Sequence, residues 1–259
     1  VSRSFELPLV VAILIVVSVL SSAQNTQDPQ AVSVLNSCIA ASGGLTAING
    51  IQDFTASGNV TYYWAGQNVQ GSVTLKALGT ANFRVDAVLQ AGTRSWAVSN
   101  GTGALIDTDG TRTTVPYYNA VNFPVLSWRL PNIVAAVGNP AVTLTYMGLV
   151  QSDAGQAYQV HYVFNDATNP DPSLATVNTI DYFIDPNTYY VLETLDTTYS
   201  VTSMGQGLQH EVVFSNYQTE MGVAVPFSLT EKIGGQTTWT ADLSGISFNT
   251  GLTIANFQL

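Results

Sequence analysis

From Phe54 to Phe248 the chain is dominated by runs in which apolar and polar residues alternate, the side-chain period of a β-strand with one buried face. In residues 54–64, Phe, Ala, Gly, Val, Tyr and Trp fall on one face and Thr, Ser, Asn, Thr and Tyr on the other. The same pattern predicts strands over residues 69–78, 83–89 and 93–99, with further short strands set off by the hairpin signals Asn100-Gly101 and Asp109-Gly110. It resumes over residues 142–150, 158–165, 176–185, 189–197, 208–217, 224–232 and 236–248, with turns such as Asp153-Ala154-Gly155 and Asp185-Pro186-Asn187 between them. About eleven strands and few helices imply an α+β chain built on one highly curved antiparallel sheet.

Two segments break the period. Asp28 followed by Pro29 supplies an N-cap and a proline at the first helical position, and Gly43-Gly44 supplies a stop. Val32, Leu35, Cys38 and Ile39 lie between them at helical spacing, and a short turn over residues 45–49 follows. Residues 119–140 carry Val125, Leu126, Trp128, Leu130, Ile133, Val134 and Val137 without alternation, punctuated by Pro124, Pro131 and Pro140. A pair of short helices or a helical lid fits that segment, with Leu126, Trp128, Leu130 and Ile133 as its apolar contacts.

The first residues read as an export signal. Arg3 precedes an apolar run over residues 7–20, and Ser21-Ser22-Ala23 offers the small residues that a signal peptidase reads. At about 14 residues the run falls short of the ~20 that cross a bilayer core comfortably. Residues 1–23 are therefore expected to be a signal peptide cleaved before Gln24, and residues 24–259 one domain, with no linker or low-complexity stretch to divide them. A periplasmic location follows, with a secreted or signal-anchored protein as the alternatives. Cys38 lies some fifteen residues too far on for a lipidation site and reads as a small buried side chain. As the only cysteine it also excludes an intrachain disulfide.

Charge and motif content narrow the chemistry. Net charge is −10 and only 9% of residues are charged, which disfavours nucleic acid and docking on anionic lipid heads. His161 and His210 both sit within predicted strands, and no HxH, HExxH or CxxC spacing accompanies them, so no metal and no cofactor is expected. No GxSxG stands with a matching His and Asp, and no glycine-rich phosphate loop follows a strand. Asp107-Thr108-Asp109-Gly110 fits a hairpin turn better than a calcium loop, and the oxygen-rich residues 165–172 fit a solvated loop. No catalytic residues can be named.

What remains is an apolar face on a curled sheet, which either fills with side chains or leaves a ligand cavity. Val60, Tyr62, Trp64, Val73, Leu75, Phe83, Trp96 and Leu243 are the candidates to line it, because each alternates with polar neighbours on its strand.

Several stretches resemble the LolA/LolB-type family of outer-membrane lipoprotein carriers. Gly71-Ser72-Val73-Thr74-Leu75-Lys76 followed by Phe83-Arg84 is similar to its second and third strands. Ser99-Asn100-Gly101 with Ala104-Leu105-Ile106-Asp107 resembles one of its hairpins, and Tyr182-Phe183-Ile184-Asp185-Pro186-Asn187-Thr188 its Asp-turn. The stretches Ser215-Asn216-Tyr217-Gln218-Thr219, Gly222-Val223 and Val225-Pro226-Phe227, and the ending with Ile246, Asn249, Leu252 and Asn256-Phe257, are similar to its C-terminal strands. The resemblance implies a half-barrel closed by helices and a non-enzymatic carrier of lipid or acylated lipoprotein, served by membrane-associated donor and acceptor proteins. In that family an arginine ahead of the Phe helps hold the lid shut; here Leu78-Gly79-Thr80-Ala81 occupies the position, so no lid-locking arginine carries over. Two other classes stay open: a surface adhesion or glycan-binding module using Tyr and Trp side chains, and a hydrolase with a carboxylate pair that sequence cannot match up.

Overall fold

The computed structural model describes residues 27–64, 66–121, 130–165, 177–200 and 203–259. The expected leader lies outside these residues, as do Leu126, Trp128 and all but the first residue of the oxygen-rich 165–172 loop.

Helix α1 (Pro29–Ala41) begins where the sequence says it should. Asp28 Oδ1 accepts from Gln30 N at 2.7 Å, satisfying one of the unpaired amides of the first turn. At the other end Gly44 N reaches back to Ile39 O (2.9 Å) and Gly43 N to Ala40 O (3.3 Å), a Schellman closure. Gly43 has φ +118°, and a Cβ there would lie 2.4 Å from Gly222 O, so both the turn and the close approach of another strand pair demand glycine. The buried stripe of Ala31, Val34, Leu35, Cys38 and Ile39 faces the sheet, and α2 (Leu45–Asn49) adds Ile48 beside it.

The alternating segments become β1 (Asp53–Trp64), β2 (Gln67–Leu78), β3 (Asn82–Leu89), β4 (Gly92–Ser99), β5 (Thr102–Ile106) and β6 (Arg112–Val115). After α3 (Tyr117–Ala120) and α4 (Leu130–Ala136) come β7 (Val142–Ser152), β8 (Gly155–Phe164), β9 (Thr179–Ile184) and β10 (Val191–Ser200). β11 (Ser203–Glu220), β12 (Val223–Ile233) and β13 (Gln236–Phe248) complete the set. All thirteen form one open antiparallel sheet in the order β6-β5-β4-β3-β2-β1-β13-β12-β11-β10-β9-β8-β7. The expected sheet is therefore present: the alternating runs give eleven of its strands, and the short β5 and β6 lie where the Asn100-Gly101 and Asp109-Gly110 hairpin signals set off further short strands.

The topology is two meanders fused along one seam. β1 to β6 run outward in one direction and β13 back to β7 in the other, and β1 pairs with β13 from Phe54↔Phe248 to Tyr62↔Trp239. The seam carries a register shift at Ser57/Gly58, and others occur at Tyr146/Gly148, Val191/Glu193, Thr198/Ser200 and Glu231/Lys232. Such bulges add local twist and bend, which is how a wide sheet curls into a half-barrel.

The helices fill one end of the inner face. Leu130 and Ile133 of α4 are fully buried with Leu35 and Cys38 of α1 in a single core cluster. Gln27, ahead of α1, locks this plug: its Nε2 donates to Ala136 O (2.9 Å) and Asn139 O (3.0 Å), and its Oε1 accepts from Gly138 N (3.0 Å). On the outer face, a C-terminal 3-10 turn (Ile254–Phe257) covers β3 and β4. Arg84 holds it, donating to Asn256 O and Gln258 O while its Nε pairs with Asp86 at 2.8 Å.

Candidate ligand-binding site

The plug leaves the other end of the half-barrel unfilled. There, a cavity of about 370 Å³ lies between β4–β6 on one side and β10–β12 on the other. Trp96, Leu105 and Val115 face Leu208 and Ile233 across it, so its walls are largely apolar. A volume of this size falls within the ~300–1,000 Å³ range of small-molecule sites.

A strap crosses the mouth. Helix α3 hangs from the end of β6 and is stapled to β10 on the far side. The β10–β11 register shift at Thr198/Ser200 turns the Tyr199 backbone toward α3, where the Asn119 carboxamide takes both of its groups. Asn119 Nδ2 donates to Tyr199 O at 2.7 Å, and Tyr199 N donates to Asn119 Oδ1 at 2.9 Å. Tyr118 adds an edge-on ring contact with Tyr199 and a hydroxyl bond to Ser200 O at 2.9 Å.

Into this apolar space the sheet sets a charged network. Asp196 on β10 pairs in register with His210 on β11, and His210 lies diagonally opposite Glu231 on β12. His210 Nδ1 donates to Asp196 Oδ1 (2.9 Å) and Nε2 to Glu231 Oε1 (3.1 Å), while Thr238 Oγ1 donates to Glu231 Oε2. All three charged residues are buried. Burial alone would lower the imidazole pKa, but the charge and hydrogen bond of Asp196, then those of Glu231, outweigh it and raise the value from 6.5 to about 10. His210 is thus an imidazolium at neutral pH, with both N–H groups committed and no lone pair to act as a base. Two carboxylates against one imidazolium leave one net negative charge. The Asp196 side chain is 1% exposed, and among the described residues its Oδ2 has no hydrogen-bond partner.

A smaller space of about 180 Å³ adjoins the cavity, sharing Trp96, Glu231 and Ile233 with it. Here the Arg94 guanidinium lies 4.7 Å from the Trp64 ring centroid and 5.3 Å from that of Tyr62, which itself stacks on Trp64. Burial pushes the Tyr62 phenol up to about 12, with Arg94 opposing.

The residues singled out in the sequence distribute unevenly over this geometry. Trp96 borders both spaces; Tyr62 and Trp64 border the smaller one. Val60, Val73, Leu75 and Phe83 lie in the core cluster, and Leu243 is half-buried against it. Leu130 and Ile133 belong to the plug at the opposite end. His161, on the outer face, pairs with Asp181 at 2.8 Å. Cys38 is buried in the plug, and burial lifts its thiol to about 12, so it is unreactive. Among the described residues no group of three or more His, Cys, Asp or Glu is arranged to hold a metal ion, and no helix is long and apolar enough to cross a membrane. Sequence reading missed Asp196, His210, Glu231, Arg94 and Asn119. A signal existed for His210 and Glu231, which fall in the apolar phase of their strands, in step with Val212, Phe214 and Leu229; Asp196 had none, since its same-phase neighbours are Thr194 and Thr198.

A curled antiparallel sheet plugged at one end by helices and strapped at the other is the LolA-like fold, and solved structures match it along almost the whole chain. A putative outer membrane lipoprotein-sorting protein domain from Vibrio parahaemolyticus superposes with TM-score 0.54, covering 88% of this chain and 95% of its own at 11% identity. A LolA superfamily protein from Nitrosomonas europaea gives 0.52 over 88% and 97% at 12% identity. A DUF1329 family protein from Desulfovibrio piger gives 0.53 over 87% and 96% at 8% identity. No protein-family model and no curated protein sequence matches the chain. At these identities the likeness is one of fold.

Proposed function

We propose that the protein is an exported, non-catalytic carrier that holds the apolar part of a lipid, or of an acylated lipoprotein, in the cavity beneath the α3 strap. The observation that carries this reading is the apolar cavity itself, about 370 Å³ of unfilled space at one end of an otherwise packed half-barrel. Burying acyl chain there contributes ~0.8 kcal/mol per methylene, enough over a dozen groups to offset the cost of association. Trp96, Tyr62 and Trp64 belong to the walls in this reading, with Val60, Val73, Leu75, Phe83 and Leu243 supporting the sheet behind them. Leu130 and Ile133 close the opposite end as part of the plug, and Leu126 and Trp128 lie outside the described residues. Two proteins of like fold, a putative outer membrane lipoprotein-sorting protein domain and a LolA superfamily protein, agree with a carrier. The leader over residues 1–23 delivers residues 24–259 as one domain to the periplasm.

The test is displacement of a fluorescent fatty-acid analogue by unlabelled chains of increasing length. Saturable, competitive binding is expected. No saturable binding at any chain length, by the acids or by the matching uncharged alcohols, sinks the carrier, and glycan-array binding in its place would favour the adhesion class.

A further inference from the structure

We infer that this cavity selects a single-chain amphiphile whose head is a cationic hydrogen-bond donor, an alkylammonium group, seated against Asp196 and Glu231. The inference rests on the carrier reading and adds the head-group chemistry to it.

Three observations converge on that chemistry. First, among the described residues the charged side chains lining the cavity are Asp196, His210 and Glu231, so this lining carries one net negative charge in apolar surroundings. A carboxylate or phosphate head would enter against two carboxylates. Its attraction to the imidazolium is already spent, because both His210 N–H groups are directed at Asp196 and Glu231. Second, Asp196 Oδ2 is buried and lacks a donor among the described residues. An unsatisfied buried carboxylate oxygen costs free energy that an incoming N–H recovers once the side chains covering it give way, which makes Asp196 a recognition point in the cavity wall. Third, Arg94, the cation of the adjoining space, is directed elsewhere, lying over Tyr62 and Trp64. Among the described residues the cavity lining therefore holds no fixed cation besides His210. Its volume sits at the small end of ligand sites, which favours one chain over two.

The probes are dodecylamine, dodecanol and dodecanoate, which share a chain and differ in head charge. Each is titrated below its micelle concentration at pH 7 and physiological salt, by displacement of an uncharged fluorescent probe. The amine is expected to bind at least tenfold more tightly than the carboxylate, with the alcohol between them. In Asp196→Asn the amine-to-carboxylate ratio should collapse to within about threefold. Since that substitution removes one half of a buried pair, Glu231→Gln is measured beside it, and circular dichroism confirms that each variant folds. Dodecanol binding with no preference for the amine in the wild type overturns the head-group inference and leaves the carrier standing. Failure of all three probes to bind overturns the carrier reading as well. An amine preference that survives unchanged in both folded variants assigns it to the acidic surface and overturns the site.

Discussion

Burial by itself would strip the proton from His210; two carboxylates in hydrogen-bond contact keep it on, up to about pH 10. Because the folded pKa lies above the ordinary 6.5, the native state binds this proton more tightly than the unfolded chain. The resulting stabilisation is fully present below about pH 6.5 and drains away as pH rises toward 10, amounting to on the order of a few kcal/mol. Urea denaturation of the wild type between pH 6 and 10 should therefore show stability falling across that window. In His210→Asn the slope should flatten, and at pH 7 the variant should be less stable by about 3–5 kcal/mol, since two buried carboxylates lose the charge between them. A wild-type profile without that slope would contradict an imidazolium at this position. Such residues were half-legible. Asp196, His210 and Glu231 all occupy inward-facing positions, and His210 and Glu231, charged residues in the apolar phase of their strands, are a recognisable anomaly, whereas Asp196 sits in phase with Thr194 and Thr198. Their meeting was not legible, because it depends on the pairing of β10, β11 and β12 and on registers that no local pattern sets.

At the level of elements, legibility followed how locally each structure is determined. Helix α1 is written in four residues at its ends, Asp28-Pro29 and Gly43-Gly44, and appears where they place it. The long strands follow from alternation, whereas β5 and β6 are too short to show it. The strap formed by α3 overlaps only the first two residues of the segment 119–140 expected to be helical. Four helical residues cannot hold themselves; Asn119 stands in for the ladder that β10 loses at its register shift, and Tyr118 adds its bond to Ser200 and its ring contact with Tyr199. Asn119→Ala should therefore cost little global stability, about 1 kcal/mol. Its local effect should be larger: faster hydrogen exchange of the Tyr199 amide and faster dissociation of a bound fatty-acid probe. Unchanged protection of Tyr199 would show that the strap is held by other contacts.

Across the whole molecule, a sheet with one apolar face still has to be covered, and here two halves of that face meet different fates. Against α1 and α4 the inner residues are packed as in any core; beneath α3 they border open space. Alternation identifies which residues point inward but is blind to what lies opposite them. That is why Leu75 and Trp96 look equivalent in the sequence and are not equivalent in the fold. The same difference should be measurable by introducing a carboxylate on each side of the boundary. Leu75 is 2% exposed, its neighbours on the inner face are packed side chains, and Leu75→Glu buries a charge with no partner. The expected outcome is a loss of about 4 kcal/mol or more, or failure to fold, with probe binding lost in proportion to the unfolded fraction. Leu208 lines the cavity on β11 and is 45% exposed, so a glutamate there keeps its water. Leu208→Glu should melt cooperatively within about 1 kcal/mol of the wild type and still lose most of its affinity for the fatty-acid analogue. Equal destabilisation by the two substitutions would mean that the inner face is one continuous core, with no room beneath the strap for a ligand.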